Sequence, residues 1–133
     1  MRQSGRPIPE AVDRFLAQYV NSIEYLEILL LLADDPERHF TAEEVAQEIY
    51  GVPVSASRRL EKIVTDRLAE ATEESARSYR FAPVDPELRT LVAQVAQTYR
   101  ERRVAIITLI ASRPMENVRA FSDAFRLGKN DKP

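Results

Sequence analysis

A chain of 133 residues, 44% hydrophobic and 30% charged, has the balance of one ordinary globular domain with appended helices. The absence of cysteine excludes disulfides, cysteine-bound zinc, thiolate nucleophiles and iron–sulfur sensing. Net charge is −2 and unevenly spread: residues 22–50 carry eight acids and one base, 52–84 six bases and five acids, and 85–113 five bases and three acids. The acidic surplus is confined to one stretch, which leaves another face free to be locally positive.

Residues 1–11 are polar and interrupted by Pro7 and Pro9, unlike a signal peptide. The most apolar run, 28–33, is far shorter than the roughly 20 residues a bilayer requires. A cytoplasmic protein without membrane contact is expected. From about Pro9 to Ala33, Val12, Phe15, Leu16, Tyr19, Ile23, Leu26 and Leu30 recur at three- and four-residue steps, the mark of an amphipathic helix. Asn21 and Ser22 divide it, so an N-terminal arm helix (1–21) is expected to give way to a core helix from about Ser22.

Asp34-Asp35-Pro36 ends that helix. Thr41 and Glu44 then form a T-x-x-E capping box, which predicts a helix over 42–50 with Val45, Ala46 and Ile49 inward and a stop at Gly51. Another helix is predicted from Val54 or Ser55 to about Ala69. Two helices joined by a short turn around Gly51 and Pro53 make a helix-turn-helix. Tyr79 and Phe81 alternate with Ser78, Arg80 and Ala82, the pattern of a half-buried strand, and 69–72 is its expected partner.

Pro86 opens a predicted continuous helix from 87 to 111, with Leu88, Leu91, Val92, Val95, Tyr99, Ile106, Leu109 and Ile110 on one stripe. Its second half adds Val104, Ala105 and Ile107 on other sides. Such a helix, about 38 Å at about 1.5 Å per residue, exceeds the small domain beneath it. A symmetric dimer through Leu88, Val92, Val95, Tyr99, Ile106, Ile107 and Ile110 is therefore expected. A short amphipathic helix at 115–127 and a disordered tail close the chain. The expected divisions are 1–21, 22–84, 85–113 and 114–133.

The order of these elements resembles a family. The segments 25–30 (YLEILL), 40–46 (FTAEEVA), 55–60 (SASRRL) and 79–83 (YRFAP) resemble bacterial winged helix-turn-helix transcriptional regulators of the MarR-like type, over about residues 22–113. The resemblance implies a mostly α fold with a small β-hairpin wing and a long C-terminal dimerisation helix. It also implies that the 55–69 helix reads DNA. On that helix Leu60, Ala56, Ile63 and Val64 face inward, Ser55, Arg58, Lys62 and Thr65 face outward, and Arg59 lies on the flank. Ser55 and Ser57 would hold a phosphate at the helix start. Arg58 and Arg59 would enter the major groove, and Arg77 and Arg80 would reach the backbone or minor groove from the wing.

Glu61, Asp66, Glu73 and Glu74 lie close to these bases, a departure from a strongly basic DNA face. A charged helix face is commonly a solvated one, here with a Lys62–Asp66 pair. The rival expectation is accordingly a winged-helix module that contacts protein and no longer reads DNA. A lone His39 and the acids Asp34, Asp35 and Glu37 make neither a metal site nor a catalytic set. No cofactor motif is present, an enzyme is not expected, and any small-molecule effector is unspecified.

Overall fold

The structure, a computed structural model, describes residues 8–113. Its elements are α1 (Glu10–Tyr19), α2 (Ile23–Asp34), β1 (Phe40–Thr41), α3 (Ala42–Ile49), α4 (Pro53–Thr65), β2 (Ala69–Thr72), β3 (Ser78–Phe81), α5 (Pro86–Glu101) and α6 (Arg103–Ser112). The helix expected at 115–127 and the tail beyond it lie outside the described residues, as does the start of the N-terminal arm.

Local chemistry places most boundaries. Ser22, in extended backbone, caps α2 by accepting from Tyr25 N–H at 3.0 Å, so the break after α1 falls where Asn21 and Ser22 interrupt the pattern. The Thr41–Glu44 capping box is reciprocal: Glu44 N–H donates to Thr41 Oγ1 at 3.1 Å and Thr41 N–H to Glu44 Oε1 at 2.9 Å. Asp85 caps α5 by accepting from Glu87 N–H, with Pro86 at the first helical position.

The hairpin β2–β3 pairs Ala69 with Phe81 and Thr72 with Ser78, antiparallel. A strand too short to announce itself, β1, adds to the other side of β3 through Phe40–Tyr79 and Thr41–Ser78, giving the order β1-β3-β2. Period two in β3 sends Tyr79 and Phe81 into the core, as the alternation predicts. One apolar cluster unites α1, α2, α3, α4, the sheet, α5 and α6, with Tyr25, Tyr79, Phe15 and Phe40 its largest fully buried side chains.

Three expectations need correction. The helix expected from 54 or 55 to about 69 begins at Pro53, because proline at the first position loses no hydrogen bond and presets φ, and ends at Thr65, where Arg67 turns left-handed (φ 67°) and Leu68 N–H returns to Ile63 O at 3.1 Å. The stop of α3 is not Gly51 but Tyr50, which sits left-handed at φ 59° and ψ 40°. Gly51 N–H then reaches back to Ala46 O at 2.8 Å, closing a Schellman-type end one residue earlier than the glycine signalled.

The third correction concerns the long helix. It is two helices, broken at Arg102 (φ −132°, ψ 49°). Thr98 Oγ1 donates to Gln94 O, a side-chain competitor for backbone acceptors just before the break. Beyond the break the apolar 103–112 segment packs on α2, with Ile106 and Ile110 buried.

Tyr50 is 97% exposed, so its side chain contributes no packing to offset the left-handed backbone. Tyr50→Gly is expected to raise the unfolding free energy by about 1 kcal/mol, read as a higher urea midpoint at unchanged slope.

Candidate nucleic-acid interface

The second helix of the helix-turn-helix, α4, packs on α2 and α3 through Ala56, Leu60 and Ile63, which are fully buried. One hundred degrees per residue from that stripe puts Val54, Arg58, Glu61, Lys62 and Thr65 on the outward face. Of the sequence-selected residues, only Arg58 is both exposed and without an ion-pair partner among the described residues.

The others are engaged. Ser55 Oγ donates to Glu24 Oε1 at 2.7 Å, and Arg59 Nε donates to the same oxygen at 2.9 Å. Lys62 Nζ lies 2.8 Å from Asp66 Oδ2 and 5.1 Å from the centre of the Tyr25 ring. Arg77 Nε donates to Glu61 Oε2 at 2.6 Å and Nη2 to Glu61 Oε1 at 3.0 Å, a bidentate fork, while Nη1 takes Glu73. Arg80 pairs with Glu70 across the hairpin. Ser57 is half-buried on the fifth residue of α4, inside the helix and not at its open end. The free N–H groups of the first turn belong to Val54 and Ser55, since Pro53 has none and Ala56 N–H already bonds to Val52 O.

Glu24 carries a role that the local sequence does not give. It lies 31 and 35 positions from its partners, and only the packing of α2 against α4 joins them. A Cβ on Gly51 would stand 3.6 Å from Glu24 Oε2 and 3.3 Å from Ile49, so the turn passes close over this carboxylate. Partial burial alone would raise the Glu24 pKa. Hydrogen bonds from Ser55 and Arg59, with the charges of Arg59 and Arg58, outweigh burial and hold it below the ordinary carboxylate range.

Glu61 is lowered too, chiefly by its hydrogen bond from Arg77, against burial and with help from the Tyr79 hydroxyl. That hydroxyl donates to Glu61, which ties the wing strand to α4, and its own pKa is raised by burial and then by Glu61. Tyr25 OH donates to Asp66 Oδ2 at 2.6 Å, and burial followed by this carboxylate pushes its pKa far above the usual phenol range.

The residues selected for a dimer seam fall mostly inside this chain's own core. Val92, Val95, Tyr99, Ile106 and Ile110 are buried, whereas Leu88 and Ile107 are half-covered and Val104 is 76% exposed. Tyr99 OH donates to Glu27 at 3.1 Å and Arg103 lies 3.4 Å from the same carboxylate, fixing α5 and α6 to α2.

No protein-family model matches this sequence, and no curated protein is detectably similar to it. The architecture, however, matches solved structures. MepR, a transcription regulator of the Staphylococcus aureus multidrug efflux pump MepA, superimposes with a TM-score of 0.54 at 13% identity, over 92% of this chain and 89% of that one. A MarR family protein from Bacillus stearothermophilus gives 0.51 at 15%, over 92% and 82%. The M. tuberculosis transcriptional regulator MosR gives 0.50 at 19%, over 98% and 91%. The chain therefore has the winged helix-turn-helix fold seen in MarR-type regulators, six helices and a small three-stranded antiparallel sheet. Among the described residues no single helix is long and apolar enough to cross a membrane.

Glu24 titrates lower in the folded chain than unfolded. Its stabilising contribution is thus fully present above the unfolded value, about 4.3, and is lost as pH falls through the folded value. Glu24→Gln is expected to cost about 1 kcal/mol at pH 7 and much less at pH 3, measured by urea unfolding at both pH values.

Proposed function

We propose that the chain is a sequence-specific, DNA-binding transcriptional regulator that acts in the cytoplasm as a homodimer. The observation that carries this reading is the placement of α4. It is the second helix of a helix-turn-helix, buried along one stripe and presenting on the other an exposed Arg58 with no ion-pair partner among the described residues, in a fold shared with transcription regulators. An arginine on the outward face of such a helix is suited to bind guanine O6 and N7 in the major groove.

The remaining bases take a second role in this reading. Arg59, Lys62, Arg77 and Arg80 share their charge between a carboxylate of this chain and a phosphate, so each phosphate contact is weaker than a free cation would give. Ser55 and Ser57 add hydroxyls beside the open first turn of α4. The dimer seam is built on the uncovered apolar sides of α5 and α6, where Leu88, Ile107 and Val104 meet a second copy. Val92, Val95, Tyr99, Ile106 and Ile110 back that face from within. A two-fold axis there would set two α4 helices against successive major grooves.

The reading is tested by fluorescence anisotropy on a pool of genomic duplexes between roughly 50 and 200 mM salt. Selective binding that weakens steeply with salt is expected. Arg58→Ala should weaken the selected duplex about tenfold or more and relax discrimination at one guanine, whereas Arg80→Ala should weaken all duplexes slightly and equally. Absence of selective binding at the lowest salt overturns the proposal and favours a protein partner. For assembly, light scattering should give twice 15.2 kDa, and Val104→Asp should return the monomer; a wild-type monomer at micromolar concentration refutes the dimer.

A further inference from the structure

Five large hydrophobic side chains stand exposed among the described residues: Tyr50 (97%), Val52 (57%), Val54 (64%), Val84 and Val104. Three of the five fall within five positions, on the helix-turn-helix turn and the leading end of α4. Single exposed hydrophobics are ordinary; a cluster at the tip of one helix is not. Exposure here is also built in. Pro53 presets the first turn of α4, and Val54 lies on the side of the helix opposite Ala56 and Leu60, so the core among the described residues does not cover it.

The polar surroundings say what such a tip suits. Val54 and Arg58 are four residues apart and share one face of α4. Their outward neighbours are already engaged, Glu61 by Arg77 and Tyr79, and Lys62 by Asp66. Among the described residues this face therefore offers one guanidinium with no ion-pair partner and, one turn ahead of it, an isopropyl group. In the major groove an arginine suits guanine, and an apolar side chain suits the methyl group that distinguishes thymine. One helical turn, about 5.4 Å, spans one to two base-pair steps of about 3.4 Å.

Resting on the DNA-reading function above, we infer that Val54 is a specificity-determining residue that reads a thymine methyl within two base pairs of the guanine contacted by Arg58. Recognition at this tip is thus partly apolar, which fits a face whose other charges are spent within the chain. A protein partner would find the same valine but would be indifferent to thymine.

The test uses the selected duplex, with each thymine replaced in turn by deoxyuridine, which removes only the methyl. Wild-type protein should bind about fourfold more weakly when one thymine near the Arg58-dependent guanine is replaced, the loss expected for one buried methyl. Val54→Ala should bind the thymine duplex several-fold more weakly and show no further loss with deoxyuridine. The wild-type arm needs no variant, and a thermal melt of Val54→Ala checks that an exposed position leaves the fold intact. Selective binding that is indifferent to deoxyuridine at every position overturns the inference and leaves the DNA-reading function standing. Equal sensitivity in wild type and Val54→Ala assigns the methyl contact to another residue and also overturns it. Failure to bind any duplex selectively overturns both.

Discussion

Two neighbouring residues of α2 hold both ends of the outward-facing helix. Glu24 takes Ser55 and Arg59 at the start of α4, and Tyr25 takes Asp66 at its end, with the buried stripe Ala56, Leu60 and Ile63 between them. Apolar packing alone leaves a helix free to slide or rotate a little along its stripe, because the hydrophobic effect is not directional. Hydrogen bonds at both ends remove that freedom, since each has a narrow range of distance and angle. The pose of α4 is thus set by two polar contacts and sustained by the core.

The same device neutralises the surface it positions. Most of the ion pairs around α4 and the wing are partly exposed, and such pairs contribute little net stability. Their effect is geometric: Glu61 joins the wing to α4 through Arg77 and Tyr79, and Glu70 braces the hairpin through Arg80. A phosphate approaching these cations meets the carboxylates as competitors. Electrostatic attraction to a polyanion is therefore weaker than the count of arginines implies, and contacts that do not depend on charge gain relative importance.

How much of this is legible in the sequence follows from the range of each interaction. The Thr41–Glu44 box, the Tyr79–Phe81 alternation and the Ala56–Leu60–Ile63 stripe are local patterns, and the structure reproduces them. The Lys62–Asp66 pair is likewise four residues apart and readable. The role of Glu24 is not, because its partners are 31 and 35 positions away. The break at Arg102 is hidden because the apolar stripe keeps nearly the same phase on both sides, so periodicity reads straight through it. The shift of the α3 end from Gly51 to Tyr50 reverses the usual preference: a glycine nearby signals the turn but does not take the left-handed position itself. Strand β1 comprises two residues and has no pattern of its own to read; its pairing with β3 alone defines it.

The break at Arg102 also changes what α2 connects. One turn beyond Glu24, Glu27 accepts from Tyr99 at the end of α5 and pairs with Arg103 at the start of α6. A single helix therefore carries the polar anchors of α4 on one side and of the α5–α6 bend on the other. Because α2 is buried along Tyr25, Leu26, Ile28, Leu29 and Leu32, it has little room to move relative to the core. The exposed flank of α6, with Val104, and the outward face of α4 are thus held in one frame.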